Sequence, residues 1–225
     1  MDNLSTWFER LSVAIGSANG AGTRKEWKPF ELIAGNAALD LVNTFDWRFR
    51  EEPPPEELLT DYYDLAHFSA QSRLMSDALA RRLIRNVNDN RAAQVVAAVR
   101  ELREAAAKVL YAALEGEEAP GSAVASLEGY FQRARQAQRL QKVAGKLDWT
   151  FPQSNSLPEL PLWLLSLSAA ELLTSDQMEK VRACGNAECR WLFLDTSKNH
   201  TRRWCDMKIC GNRMKARRFK AQRRG

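Results

Sequence analysis

Apolar residues recur three and four apart over most of the chain between residues 60 and 140, which predicts helices over Tyr62–Ala70, Leu74–Val87, Ala92–Leu114 and Ala123–Leu140. Val95, Val99, Leu102, Ala106 and Val109 form the clearest stripe, and their faces are read as core. Within that helix, Arg100, Glu104 and Lys108 lie four apart and are expected on its solvated side. The period breaks over Gln141–Phe151, where Val143, Leu147, Trp149 and Phe151 around Gly145 predict a small β-hairpin covering the bundle. Leu160–Leu173 is apolar nearly all round and is read as the central buried helix.

At the N-terminus, Trp7, Phe8, Leu11 and Ile15 have helical spacing, and residues 16–23 are linker-like, so residues 1–25 are expected to be a flexible extension. Ala37–Phe45 predicts a short helix. Its polar residues Asp40, Asn43 and Thr44, with Arg48 beyond, suit either a ligand pocket or the capping and loop-tying roles common for short polar side chains near helix ends. Pro53-Pro54-Pro55 closes this segment.

The candidate chemistry lies at the other end. All four cysteines fall between residues 184 and 210, spaced C-x4-C, fifteen residues, C-x4-C. Two close pairs around a short gap suit a tetrahedral thiolate site, so Cys184, Cys189, Cys205 and Cys210 are the expected ligands of one structural zinc. Four sulfurs leave no open position for substrate. His200, in a polar turn, is the alternative ligand and is expected to be exposed. The gap predicts a hairpin of Arg190–Asp195 with Thr201–Cys205, and the Gly- and Pro-free run after Gly211 predicts a helix. This is a treble-clef-like order, with a zinc ribbon as the alternative that the same spacing allows.

The stretch around these cysteines resembles the CGNR zinc-finger family through Phe193-Leu194-Asp195, Ser197, Arg203, Trp204-Cys205, Cys210-Gly211-Asn212-Arg213, Lys215 and Arg217. Such fingers commonly follow an ABATE domain with an LDFVNT-like segment, and Leu39-Asp40-Leu41-Val42-Asn43-Thr44 is similar to it, with Leu41 replacing the aromatic residue. The resemblance implies a stress-induced transcriptional regulator that binds DNA through its finger.

Charge sharpens the division. Residues 181–225 hold 13 Lys or Arg against 3 Asp or Glu, whereas the rest of the chain is net acidic. A basic module on an acidic body points to a polyanionic partner. Arg213, Arg217, Lys220 and Arg224 form one helical stripe, broadened by Lys215, Arg218 and Arg223, and Arg202 and Arg203 add charge beside Trp204. These are the candidate nucleic-acid contacts.

The expected organisation is therefore mainly α: a helical domain over 26–180 with a small β-hairpin, then the finger over 181–225, packed on the body because no flexible linker precedes Cys184. The body is expected to sense a small-molecule effector or to form a homodimer. An RNA- or ribosome-associated binder and a zinc-stabilised redox-sensing interaction protein are the rival readings. No P-loop, dinucleotide fingerprint or HExxH occurs, and His67 and His200 are the only histidines, so an enzyme is the weakest class. No signal peptide or bilayer-length apolar segment is visible, and the cysteines suit a reducing cytoplasm, where the protein is expected.

Overall fold

The computed structural model describes residues 28–152 and 154–223, apart from the side chains of Asn155 and Arg218. The expected N-terminal helix and linker, and Arg224, lie outside the described residues.

The body is helical, with one short antiparallel ladder of β1 (Phe45–Asp46) and β2 (Glu56–Glu57) between its first two helices: α1 (Ala37–Asn43), α2 (Tyr62–Gln71), α3 (Asp77–Asn86), α4 (Asp89–Glu115), α5 (Gly121–Ala137) and α6 (Leu160–Leu173). Side-chain caps set the starts of the first four. Asn36 accepts from Ala38 N, Asp61 from Asp64 N, Ser76 from Leu79 N and Asn88 from Arg91 N, satisfying amides that the first turn leaves free. Gly116, at φ +70°, ends α4 in the left-handed conformation that glycine adopts most readily.

Helix α6 is the central element predicted from its apolar run. It touches α1, α2, α4 and α5, and buries Leu162, Leu165, Ala169 and Leu172. Val95, Val99, Leu102 and Ala106 on α4 are buried as expected, and Val109 is half-buried. Among the described residues no helix is long and apolar enough to cross a membrane.

Two expectations for the body are corrected. Glu104 does not lie on a solvated face: it is turned into a buried ion network with Arg48 and Arg103. Two desolvated guanidinium groups require a carboxylate, and that requirement outweighs the i,i+4 pairing with surface neighbours. The hairpin of β3 (Arg139–Val143) and β4 (Lys146–Thr150) forms, but it does not cover the bundle. Every strand residue except Thr150 is exposed, including Leu140, Val143, Leu147 and Trp149.

The cysteine-rich segment begins with β5 (Val181–Ala183), which pairs antiparallel with β6 (Leu192–Leu194), Val181 opposite Leu194 and Ala183 opposite Leu192. This corrects the expected pairing of 190–195 with 201–205. The latter stretch spends its backbone elsewhere: Arg202 N donates to Asp195 Oδ2, and Arg203 O accepts from Gly185 N. A π-turn over Met207–Gly211 leads into α7 (Asn212–Gln222).

Helical body and cysteine segment share one hydrophobic core. Trp191, Leu192 and Phe193 are buried in the same cluster as Leu39, Leu110 and Leu165.

Candidate metal centre and nucleic-acid interface

The knuckle between β5 and β6 carries the first two cysteines. Cys189 N and Arg190 N both donate to Asn186 O, and Cys184 N donates to Trp191 O, so the chain reverses within six residues. Arg190 sits at φ +49° where the turn leaves. The third cysteine follows Trp204, and the fourth lies in the π-turn. Asp206 caps that turn, its Oδ1 accepting from Lys208 N at 2.6 Å and Ile209 N at 3.0 Å.

These elements bring the sulfurs of Cys184, Cys189, Cys205 and Cys210 within 4.8 Å of one another, all four buried. Cys189 Sγ and Cys205 Sγ are 3.7 Å apart. Thiolates about 2.3 Å from a tetrahedral zinc have sulfur–sulfur edges of about 3.8 Å, so the cluster fits a single zinc ion. The side-chain amide of Asn186 points at Cys210 Sγ, 3.7 Å away, supplying an outer-shell donor. Hydrogen bonds from the three neighbouring thiols hold Cys184 well below its ordinary range, whereas hydrogen bonds to its neighbours, with burial, push Cys189 up. A dication at the centre of the cluster would favour the thiolate form of all four, and with four sulfur ligands it would serve structure. His200 is exposed and outside the sulfur cluster.

The polar residues of α1 are spent on internal ties. Asn43 Nδ2 donates to Leu192 O at 2.9 Å, and Asn43 Oδ1 accepts from Leu192 N at 2.8 Å. Its amide thus serves as one more strand partner on the edge of β6 opposite β5. Ala34 O extends the same edge by accepting from Leu194 N, and Asp40 Oδ1 holds Ala34 N at 3.0 Å. Burial pushes Asp40 up to about 6 despite hydrogen bonds from the Ala34 and Ile33 amides. Thr44 Oγ1 donates to Leu41 O and accepts from Arg103. Arg48 is buried and forks onto Glu104, at 2.5 and 3.1 Å. Burial alone would raise Glu104, but Arg48 and Arg103 together bring it down to about 2.

The candidate nucleic-acid residues divide into two groups. Arg202 is committed inward: its guanidinium lies 4.1 Å from the Phe193 ring centroid and donates to the carbonyls of Ile33, Trp204 and Cys205. Arg213 stacks over Trp47 of the body at 4.4 Å, and Arg217 pairs with Glu188 of the knuckle at 2.9 Å. Arg203, Lys215, Lys220 and Arg223 are exposed. Arg203 lies over Trp204 and Arg223 over Phe219. The side of α7 bearing Arg213 and Arg217 therefore faces the knuckle and body.

Sequence reasoning missed Trp47 and Glu188 as the partners that orient α7. The signal for Glu188 was present, as a lone acid inside a C-x4-C turn of a basic segment. It also missed Tyr111, whose hydroxyl donates to Arg190 O at 3.0 Å and ties the end of α4 to the knuckle.

Comparison with known families finds two matches along the chain. The ABATE model, described as a putative stress-induced transcription regulator, matches residues 35–176, and the CGNR zinc finger model matches residues 180–223. No curated protein matches the chain.

Proposed function

Because the chain belongs to the ABATE family and ends in a CGNR zinc finger, we propose that it is a stress-responsive transcription regulator that grips duplex DNA through the finger and α7. The observation that carries this reading is the exposure of α7. Every residue of that helix whose side chain is described is exposed except Met214, and the helix holds five Lys or Arg and no acid. A helix with so little buried surface gains almost nothing from packing. Its charge suits a phosphate backbone, and its diameter suits a major groove.

In this reading the metal holds the finger's shape, while Trp47 and Glu188 aim the helix. Lys215, Lys220 and Arg223 make the first phosphate contacts, and Arg217 exchanges Glu188 for phosphate on binding. The body, locked to β6 through Asn43, is the element through which a signal reaches the finger.

The test is a salt titration of duplex DNA binding by the intact zinc-loaded chain, by Lys215→Glu/Lys220→Glu, and by Cys205→Ser. Log K should fall linearly with log salt, and the double charge variant should flatten that slope by about 1.8, at about 0.9 per phosphate contact. Cys205→Ser should lose both zinc and binding. Failure of the intact protein to bind duplex DNA at low salt, or stronger competition by structured RNA, overturns the proposal.

A further inference from the structure

We infer that the β3–β4 hairpin is a second nucleic-acid contact, a basic ribbon that enters a groove of the duplex held by the finger. This inference rests on the DNA-binding reading above.

The hairpin lies at the opposite end of the body from the zinc site. Helix α4 meets the knuckle at Tyr111, and α5 runs back along it, with Tyr130 bonding Glu101 at 2.8 Å. At 1.5 Å per helical residue, the end of α5 is roughly 25 Å from that junction. The ribbon continues beyond it. Ala144 at φ +48° and Gly145 at φ +88° form the two-residue turn whose twist matches paired strands.

Such a ribbon gains little from its own fold. Two strands without a third, or a helix packed against them, are marginal in water. Yet Leu147 is 70%, Trp149 56% and Leu140 52% exposed. Side chains of this size left in water at a fixed place call for an occupant.

Charge and register identify its chemistry. The strands carry Arg139, Lys142 and Lys146 against a single acid, Asp148, so the occupant is anionic. Leu140 pairs with Trp149 and Lys142 with Leu147 on one face, while Arg139, Gln141, Val143, Lys146, Asp148 and Thr150 share the other. Cations thus leave both faces of the ribbon. A flat lipid surface meets one face at a time, whereas a groove has a phosphate wall on each side. The major groove, about 12 Å wide, admits a two-stranded ribbon, and apolar side chains in it can contact thymine methyl groups. A second copy of the ribbon would meet like charge.

The experiment compares Lys142→Glu/Lys146→Glu and Leu147→Ala/Trp149→Ala with the intact zinc-loaded chain in the same salt titration, with zinc content and circular dichroism verifying each fold. The charge variant should lower the salt slope by about 1.8. The apolar variant should weaken binding several-fold with the slope unchanged. If both hairpin variants bind as intact protein does while Lys215→Glu/Lys220→Glu is impaired, the hairpin inference fails and the finger reading stands. If the intact chain binds no duplex, both fail. Retained DNA binding with loss of binding to vesicles of anionic phospholipid in the charge variant would transfer the hairpin to a membrane surface and overturn the inference.

Discussion

The side-chain amide of Asn43 meets the backbone of Leu192 twice, donating to its carbonyl and accepting from its amide, across 149 residues of sequence. Both groups are buried. Asn43→Ala should therefore destabilise the chain by about 2–4 kcal/mol, because it strands one donor and one acceptor of β6. Asn43→Asp should be no better, since it turns a carboxylate oxygen toward the Leu192 carbonyl. Urea unfolding gives the energy, and faster proteolysis within 181–205 should locate the loosening.

Zinc removal should be felt throughout the protein. Trp191, Leu192 and Phe193 belong to the body's core, so collapse of the finger exposes Leu39 and Leu110 as well. Chelation should lower the unfolding temperature of the whole chain in one transition. Structural zinc supplies apparent energies of about 10–16 kcal/mol to small fingers, so the fall should be large. A body transition unchanged by chelation would contradict the shared core.

Asp40 gives a pH dependence of unusual sign. Its folded pKa, about 6, lies above the ordinary 3.8, so the folded state holds the proton more tightly than the unfolded chain. Stability relative to Asp40→Asn should therefore fall as pH rises from 4 through 6 and level off by pH 7, by about 3 kcal/mol at most. The zinc site is common to both proteins and cancels in the difference. Equilibrium unfolding at a series of pH values measures it, and a flat difference would exclude the buried ionisation.

If α7 binds duplex DNA as proposed, Glu188 competes with the phosphates for Arg217. The pair is half exposed, so Glu188→Gln should leave stability within about 0.5 kcal/mol. It should strengthen duplex binding several-fold at low salt, and the gain should shrink as salt screens the charges. Fluorescence anisotropy with labelled duplex reads this directly. Weaker binding would mean that the pair orients α7 more than it restrains Arg217.

Helix periodicity made the body legible, because burial on one face leaves an i, i+3, i+4 record, and α2 to α6 were all visible in it. The cysteine spacing likewise exposed the metal site. What stayed hidden depends on contacts distant in sequence. Nothing near Glu104 indicates that Arg48, 56 residues away, turns it inward. The strand partner of Leu192–Leu194 was misassigned because Thr201–Cys205 also reads as a strand, until Asp195 and Gly185 claim its backbone groups. The hairpin's apolar residues matched a covering ribbon, since sequence records which side chains are apolar and not whether a neighbour reaches them. Asp40, Asn43 and Thr44 were visible as a polar cluster, but their partners were not.

The π-turn at Met207–Gly211 sets the rotational phase of the helix that follows. Gly211 N reaches back five residues to Asp206 O, one more than an α-turn allows. With 3.6 residues to a turn, that one residue is equivalent to rotating everything downstream by about 100°. It is this offset that puts Arg213 over Trp47 and Arg217 beside Glu188 while leaving Lys215 and Lys220 toward solvent. Removing one residue of the turn other than Cys210 would keep all four cysteines and every residue of α7, yet present a different side of the helix to any partner. The choice of outward face is written in the length of the turn, independently of the residues that the face displays.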